Sequence, residues 1–174
     1  MIKFDYTNTN LDKCLTKLGQ SNLIRNISIK PEIFVDYLDA DIFNYESLLL
    51  IDYFNDVKLI ADSLIQEGNK SDEIEFTLNK IHISDFIDKP KSKSSIIYLE
   101  YGLILLKQLM YKLHFSFEYE ITIVLSYNTS GRYRDCILTL FKSTNGINNY
   151  QNIEYLNNFK NEAVGVVIVN KKKT

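Results

Sequence analysis

The first half of the chain places apolar residues at the spacing of amphipathic helices. A first helix is predicted over Asn10–Leu18, and Gly19 follows at the position of a C-terminal cap. Pro31 suits the first turn of a second helix, because the N–H that proline lacks would be unpaired there. A third helix is predicted over Tyr45–Glu67, with polar side chains opposite a broad apolar face. The segment Ser95–His114 is apolar nearly all round, which predicts a buried central helix.

Alternation of apolar and polar residues, the period of a β-strand, dominates the rest of the chain. The segment Ile74–Asn79 alternates, and the residues KIHISDFI continue this strand or pair with it. The clearest strand is predicted over Phe117–Tyr127, with one face packed and the other largely wet. Asp135–Lys142 alternates too, so these two segments are predicted to form an antiparallel hairpin. The continuous apolar run EAVGVVIV predicts a strand inside the sheet.

This order of elements predicts an α+β fold. Helices fill the N-terminal half and strands the C-terminal half, with a short helix around Asn152–Phe159 before the last strand. We expect two layers, with the helices packed on a mostly antiparallel sheet. A length of 174 residues suits one domain, and neither a repeat nor a low-complexity linker divides the chain. We therefore predict a single domain over residues 1–174.

Composition places the chain among ordinary globular proteins. Apolar residues make up 45%, charged residues 24%, and the formal net charge is -2. The two cysteines, Cys14 and Cys136, are too few for a disulfide framework or a cysteine-based zinc site, which favours a reducing compartment. The N-terminal residues lack the apolar stretch of a secretory signal, and Ile96–Leu113 is interrupted by charged residues. We expect a soluble, cytoplasmic protein that does not enter a membrane.

Residues that could carry catalysis are scarce. His82 and Asp85 could form part of a dyad or a metal site, but no set of ligands is complete. His114 falls in the last turn of a predicted helix, where it interacts favourably with the helix dipole. The glycines are too isolated for a phosphate-binding loop, and Glu118 and Glu120 are typical of a solvated strand edge. We expect no enzyme activity, no catalytic residues, no cofactor and no metal site.

Charge is distributed unevenly along the chain. Between Pro31 and Glu67 there are nine acidic residues and one basic residue, Lys58, for a local net charge of -8. The remainder holds 13 acidic and 19 basic residues, a net charge of +6, and the two parts sum to -2. This favours an acidic surface that steers and binds a basic partner, and the alternative is a solvated helix face. The candidate partner-binding carboxylates are Asp36, Asp39, Asp41, Asp52 and Asp56.

A second candidate contact lies in the turn between the two clearest strands. Arg132, Tyr133 and Arg134 occupy the predicted loop tip, and Arg and Tyr are enriched in interface hot spots. A hairpin loop without a binding role is the alternative. Basic residues elsewhere cluster in a predicted loop, at 89–93, and at 171–173, so direct nucleic-acid binding is not expected.

The segments HFSFEYEITIVLSYNTSGRYRDCILTLFK and NEAVGVVIV, with the long helix before them, resemble the small immunity proteins of bacterial polymorphic toxin systems. Such systems include contact-dependent inhibition and type VI effectors. The resemblance lies in the order of helix and strands, the size and the acidity, and it transfers no individual residue. It implies a cytoplasmic protein that binds one cognate toxin domain and blocks its active site. The acidic segment fits a nuclease toxin, whose substrate-binding face is basic.

Three other functions are compatible with the same sequence. A phage or plasmid protein that imitates nucleic acid would use its carboxylates to inhibit a defence nuclease. A small enzyme would assemble its site from scattered residues such as Arg132, Tyr133 and Arg134. A structural or adaptor subunit would associate with itself. The sequence leaves the oligomeric state open.

Overall fold

Three long antiparallel strands form the centre of the fold. A computed structural model describes residues 2–20, 34, 38, 40–52, 56–87, 96–130, 135–143 and 148–170. Single turns of 3₁₀ helix lie at Ile83–Asp85 and Asn148–Gln151. In chain order the other described elements are β1 (Tyr6–Thr7), α1 (Thr9–Gln20), β2 (Asp41–Tyr45), β3 (Leu48–Asp52), α2 (Val57–Gln66), α3 (Ser71–Leu78), β4 (Lys80–His82), α4 (Ile96–Ser116), β5 (Ile121–Asn128), β6 (Cys136–Lys142), α5 (Ile153–Asn157) and β7 (Glu162–Val169).

β5 lies in the middle of a five-stranded sheet with the order β1-β7-β5-β6-β4. Every pairing in this sheet is antiparallel. β5 and β6 form the predicted hairpin, with Ile121 opposite Lys142 and Tyr127 opposite Cys136. β7 pairs with β5 along its whole length and with β1 on its other side. Its run of Val and Ile predicted this interior position, which is confirmed.

One face of the sheet packs on α4 and α1. Ile123 of β5, Leu138 of β6 and Val167 of β7 join a core that includes apolar residues of both helices. α4 approaches β6 closely at Gly102, where a β-carbon would collide with Cys136 Sγ. A larger residue at this position would therefore push the helix away from the sheet. The predicted α+β fold, with helices layered on an antiparallel sheet, is confirmed.

The opposite face of β5 is buried as well. Thr122 and Val124 are 2% and 3% exposed, so the prediction of a largely wet face is wrong. A second apolar cluster covers them, formed by Phe141 of β6, Leu156 of α5 and the ring of Tyr150. The chain between β6 and β7 folds back over the sheet, an arrangement that alternation within β5 cannot reveal.

Residues 41–52 form a β-hairpin, so the helix predicted over Tyr45–Glu67 is wrong in its first part. β2 and β3 pair through all five residues, and Glu46 in the two-residue turn has a positive φ of 52°. Leu48, Leu49 and Leu50 of β3 are buried in succession, so the strand lacks the alternation of a half-buried one. The second part of the prediction is confirmed as α2.

α3 replaces a strand that the alternation of Ile74, Phe76 and Leu78 predicted. These residues contact two different apolar clusters. Ile74 and Leu78, one helical turn apart, pack with Leu48 of the hairpin. Phe76 stacks on Tyr150, with ring centres 5.9 Å apart. A helix that lies between two clusters carries apolar residues on two sides, and this arrangement mimics the period of a strand.

The other helices agree with the sequence pattern. α1, α4 and α5 are confirmed, although α1 continues through Gly19 rather than ending before it. Most of the helix predicted from Pro31 lies outside the described residues. No helix within the described ranges is long and apolar enough to cross a membrane. The single-domain organisation stays a prediction.

Candidate interaction surface

Three of the candidate carboxylates lie within the described part of the chain. Asp41 begins β2, Asp52 ends β3, and Asp56 directly precedes α2. The contact predicted for the loop tip stays a prediction, as does the contribution of the first two acidic positions. The candidate residues outside the described ranges are Asp36, Asp39, Arg132, Tyr133 and Arg134.

Two of these carboxylates meet at the open end of the hairpin. Asp41 and Asp52 are directly opposite each other in the β2–β3 register, and like charges in such a pair repel. Asp52 Oδ1 is buried and has no hydrogen-bond partner among the described residues. The ion pair found in the described residues joins His82 to Asp135, and neither residue belongs to the hairpin. No ion pair in the described part of the chain involves Asp41 or Asp52.

α2 carries apolar side chains on two sides, and one of these sides is exposed. Val57 and Ala61 pack into the cluster shared with the hairpin and α3. Leu59 and Ile60, in contrast, are 70% and 45% exposed. They lie three and four residues after Asp56, so the three side chains share one helix face. An apolar surface is therefore presented beside a carboxylate.

The same face continues along α2. Ser63 and Glu67 are both exposed and lie seven and eleven residues after Asp56, so they extend the helix face that Asp56, Leu59 and Ile60 share. The sequence pattern identified the acidic residues of this surface but missed Leu59 and Ile60. A long helix with a broad buried face was predicted here, and apolar residues of such a helix are expected to be buried. We define the hairpin–α2 face as Asp41, Asp52, Asp56, Leu59, Ile60, Ser63 and Glu67.

Tyr45 and Asp62 join the turn end of the hairpin to α2. The Tyr45 hydroxyl donates a hydrogen bond of 2.7 Å to Asp62 Oδ1. This bond is the main reason that the pKa of Tyr45 is raised, and burial and the charges of Asp62 and Glu46 add to it. The nearby Lys58 Nζ lies 4.9 Å from the centre of the Phe43 ring. Side-chain contacts thus hold the helix against the hairpin.

Glu75 of α3 anchors the hairpin to the main sheet. Its carboxylate accepts hydrogen bonds from the backbone N–H of Leu49, at 2.6 Å, and from that of Lys142, at 2.8 Å. Burial raises the pKa of Glu75, while the two backbone bonds oppose the rise. Sequence reasoning missed this residue, because a strand would have pointed it toward solvent. The two sheets are linked here through a side chain.

His82 pairs with Asp135 and not with Asp85, the neighbour that the sequence suggested. Its Nδ1 lies 2.8 Å from Asp135 Oδ2. Asp135 Oδ1 accepts hydrogen bonds from the backbone N–H groups of Ser84 and Cys136, so the carboxylate is held in place. Burial raises the pKa of the Cys136 thiol well above its usual value, which disfavours a reactive thiolate. These contacts join β4 to β6.

His114 lies in the last turn of α4, as predicted. Its Nδ1 is 2.8 Å from Asn170 Oδ1, and the Asn170 amide donates to the carbonyl oxygens of Leu113, Phe117 and Tyr119. Asn170 has a positive φ of 60°, which asparagine tolerates better than most residues. His114 therefore belongs to the contacts that end α4.

A groove of about 760 Å³ runs along another side of α4. Lys112 at its margin donates hydrogen bonds to the carbonyl oxygens of Leu38 and Ala40, at 2.5 and 2.7 Å. The groove is mainly apolar, with basic groups at its margin, and so differs in charge from the hairpin–α2 face. Its lining residues are Leu38, Ile104, Lys107, Gln108, Tyr111 and Lys112.

No family model, curated protein or solved structure matches the chain. Among the described residues, no group of three or more His, Cys, Asp or Glu side chains is placed to hold a metal ion. The hairpin–α2 face is the feature of the described structure that bears most directly on function.

Proposed function

We propose that this chain is a stoichiometric protein inhibitor of the immunity-protein type, which binds a cognate toxin in the cytoplasm and blocks its active site. The exposure of Leu59 and Ile60 beside Asp56 carries the proposal. A solvated helix face would explain the carboxylate but not the two large apolar side chains. Together they favour a surface that another protein covers.

The arrangement matches the anatomy of a protein interface. Central apolar side chains supply binding energy when water is excluded, and a surrounding polar rim sets specificity. Complete burial of a leucine or isoleucine side chain is worth about 1.5–3 kcal/mol. In this proposal Asp41, Asp52 and Asp56 form the negative rim, and none of them is in an ion pair within the described part of the chain. The proposed partner therefore carries a basic surface around an apolar depression.

A nuclease domain is the toxin class that this surface favours. Nucleases bind phosphate groups with lysine and arginine side chains, so their active-site clefts are basic. An acidic inhibitor approaches such a cleft rapidly, since opposite charges steer the encounter. The proposed role needs neither catalysis nor a cofactor.

The hairpin–α2 face is held in shape before binding. The hydrogen bond from Tyr45 to Asp62 fixes α2 against the hairpin, and Glu75 fixes the hairpin against β6. A surface that is ordered in advance loses less conformational entropy on association, which strengthens binding. These contacts support a preformed docking site.

We expect a toxin reading frame immediately upstream of the gene, and its inactivated C-terminal domain is the binding partner for the test. The double variant Leu59→Ala/Ile60→Ala removes the apolar centre of the face. Since both side chains are exposed, circular dichroism should show an unchanged fold. Calorimetry should show an affinity lowered about 100-fold, the effect of losing two interface anchors.

Ile65→Ala is the matched control for this test. Ile65 is 42% exposed on the same helix, but it lies on a different side from Leu59 and Ile60. We expect its affinity to remain within about threefold of wild type, as for residues outside an interface. Equal losses in the control and the double variant, or no loss in either, would contradict the proposed face.

A further inference from the structure

The outer edge of β2 lacks hydrogen-bonding partners within the described residues. In an antiparallel pair, successive residues direct their N–H and C=O groups alternately toward the neighbouring strand and away from it. Ile42 is opposite Ile51, and Asn44 is opposite Leu49. The N–H groups of Leu49 and Ile51 donate to side chains of α3 and its C-cap residue, away from β2. The backbone groups of Ile42 and Asn44 therefore point away from β3.

The two edges of the hairpin differ sharply. On the β3 side, the carboxylate of Glu75 and the amide of Asn79, which caps α3, accept from the N–H groups of Leu49 and Ile51, at 2.6 and 3.1 Å. The same amide donates to the Leu49 carbonyl oxygen at 2.7 Å. On the β2 side, no group of the described chain meets the outward N–H and C=O groups of Ile42 and Asn44. One edge is closed and the other is open.

In the main sheet, β7 and β6 are covered where they extend beyond the short edge strands β1 and β4. Beside β7, the Asp5 N–H donates to the Val166 carbonyl oxygen at 2.9 Å, and Asp5 Oδ2 accepts from the Ile168 N–H at 2.8 Å. On β6, beyond the end of β4, Glu75 accepts from the Lys142 N–H. Side chains placed in this way keep a sheet from adding foreign strands. Among the described strands of five or more residues, β2 lacks this protection.

We propose that the outer edge of β2 binds an extended segment of the partner protein as an additional strand. This inference rests on the proposed function, to which it adds a mode of binding and the chemistry of the bound segment. Main-chain hydrogen bonds from Ile42 and Asn44 supply affinity in this mode, and the neighbouring side chains supply specificity.

The side chains along β2 define the segment that fits. Asp41 and Glu46, both exposed, lie at the two ends of the edge, so lysine or arginine is required at the ends of the added strand. Between them, Ile42 and Phe43 are partly buried apolar residues, which favour β-branched or aromatic neighbours. A second copy of β2 is a poorer occupant, because it would place carboxylates beside Asp41 and Glu46.

Asn44→Pro tests the edge with little effect on the hairpin. Proline has no N–H, but the Asn44 N–H points away from β3, so the ladder between β2 and β3 is kept. Asn44→Ala is the matched control. Both variants lose the hydrogen bond of 2.8 Å from the Tyr119 hydroxyl to Asn44 Oδ1, and only the proline removes the outward donor.

The probe is an eight-residue peptide with two lysines at each end and four valines between them, and its comparison is the same peptide with glutamate in place of lysine. We expect the lysine peptide to shift the amide resonances of Ile42 and Asn44 and to slow their hydrogen exchange. Asn44→Ala should bind it as wild type does, whereas Asn44→Pro and the glutamate peptide should each weaken binding at least about tenfold. If Asn44→Pro does not fold, Ile42→Pro with Ile42→Ala takes its place.

Three outcomes would overturn the inference. They are equal peptide binding by the alanine and proline variants, resonance shifts confined to other strands, and a wild-type dimer that Asn44→Pro abolishes. The inactivated toxin domain separates this inference from the proposed function. Suppose that this domain binds Asn44→Pro and Asn44→Ala with equal affinity but does not bind Leu59→Ala/Ile60→Ala. The proposal of strand addition at the β2 edge is then wrong, and the proposed inhibitor function is retained. If the toxin domain binds neither the wild-type protein nor any variant, the proposed function is wrong. Peptide binding then still tests whether the β2 edge accepts an added strand.

Discussion

Glu75 of α3 and Asn79, the residue that caps the C-terminus of α3, lie one turn apart and together connect β3 to β6. Asn79 donates hydrogen bonds to the carbonyl oxygens of Leu49, at 2.7 Å, and Leu140, at 2.9 Å. Glu75 accepts from one backbone N–H of each strand. Both side chains are buried, at 2% and 1% exposed, so their hydrogen bonds are shielded from water. The position of the hairpin, and with it the binding face, depends on this pair.

Glu75→Ala is expected to destabilise the protein strongly. It leaves one buried and one partly buried backbone N–H group without an acceptor, and each unsatisfied buried group costs about 1–3 kcal/mol. Urea denaturation should show a loss of about 2–5 kcal/mol in the free energy of unfolding. Thr77→Ala, on the exposed side of the same helix, is the control and should change stability by less than about 0.5 kcal/mol. Similar losses for the two variants would contradict the anchoring role.

Glu100 makes stability depend on pH. Its side chain is buried in α4, and Oε1 has no hydrogen-bond partner among the described residues. Burial raises the pKa of Glu100 above its ordinary value of 4.5. The folded protein therefore holds this proton to a higher pH than the unfolded chain does. The resulting stabilisation is present below pH 4.5 and is lost as the pH rises through the folded-state pKa.

Glu100→Gln removes this titration and nearly preserves the shape of the side chain. We expect the variant to be more stable than wild type at pH 8, where wild type must bury a charge, and to approach wild type at pH 4. Urea denaturation at the two pH values measures the difference. A stability difference that does not change with pH would show that burial of the charge is not its cause.

His82 and Asp135 should contribute unequally to stability. Asp135→Ala removes the acceptor of two backbone N–H groups, so we expect a loss of about 1–3 kcal/mol. His82 is 42% exposed, and loss of an exposed pair costs at most about 1 kcal/mol. Thermal unfolding measures both. The His82→Ala variant, if folded, should still bind the toxin domain. If the folded variant no longer protected cells from the toxin, the prediction that His82 has no catalytic role would be contradicted.

Long periodic segments explain which parts of the fold could be predicted. Phe117–Tyr127, which contains most of β5, and Asp135–Lys142 alternate over seven or more residues, and the central helix is apolar nearly all round. The hairpin could not be predicted in the same way. Leu49 faces the main core and Leu50 the cluster with α2, so both faces of β3 are apolar and the strand resembles a buried helix. Its identity depends on partners distant in sequence.

Part of the candidate site could likewise be predicted from the sequence, and part could not. The charge imbalance is visible in the sequence and identified Asp41, Asp52 and Asp56 as acidic residues of one segment. The position of Asp41 opposite Asp52 requires the hairpin register. The exposure of Leu59 depends on what covers α2, because an apolar residue in a helix is buried only where another element packs on it. Periodicity within one segment contains no such information.

The acidic rim should control mainly how fast the partner binds. The triple variant Asp41→Asn/Asp52→Asn/Asp56→Asn removes three negative charges and nearly preserves shape. Exposed rim charges act on the encounter over distances comparable to the Debye length, about 10 Å at 0.1 M salt. We therefore expect stopped-flow association with the inactivated toxin domain to slow about tenfold at low salt, with a much smaller difference at 1 M salt.

A charge-matched control separates this local effect from net charge. Asp12→Asn/Glu118→Gln/Glu154→Gln removes three charges from exposed positions outside the hairpin–α2 face. Because steering depends on where charge lies relative to the docking surface, this control should slow association far less than the rim variant does. Dissociation of the rim variant should change less than its association, except for a contribution from Asp52, whose partly buried carboxylate could pair with a basic side chain of the toxin. Two outcomes would show that the hairpin–α2 face is not the acidic surface that attracts the partner. Either the two triple variants slow association equally, or salt does not affect the association rate of the wild-type protein.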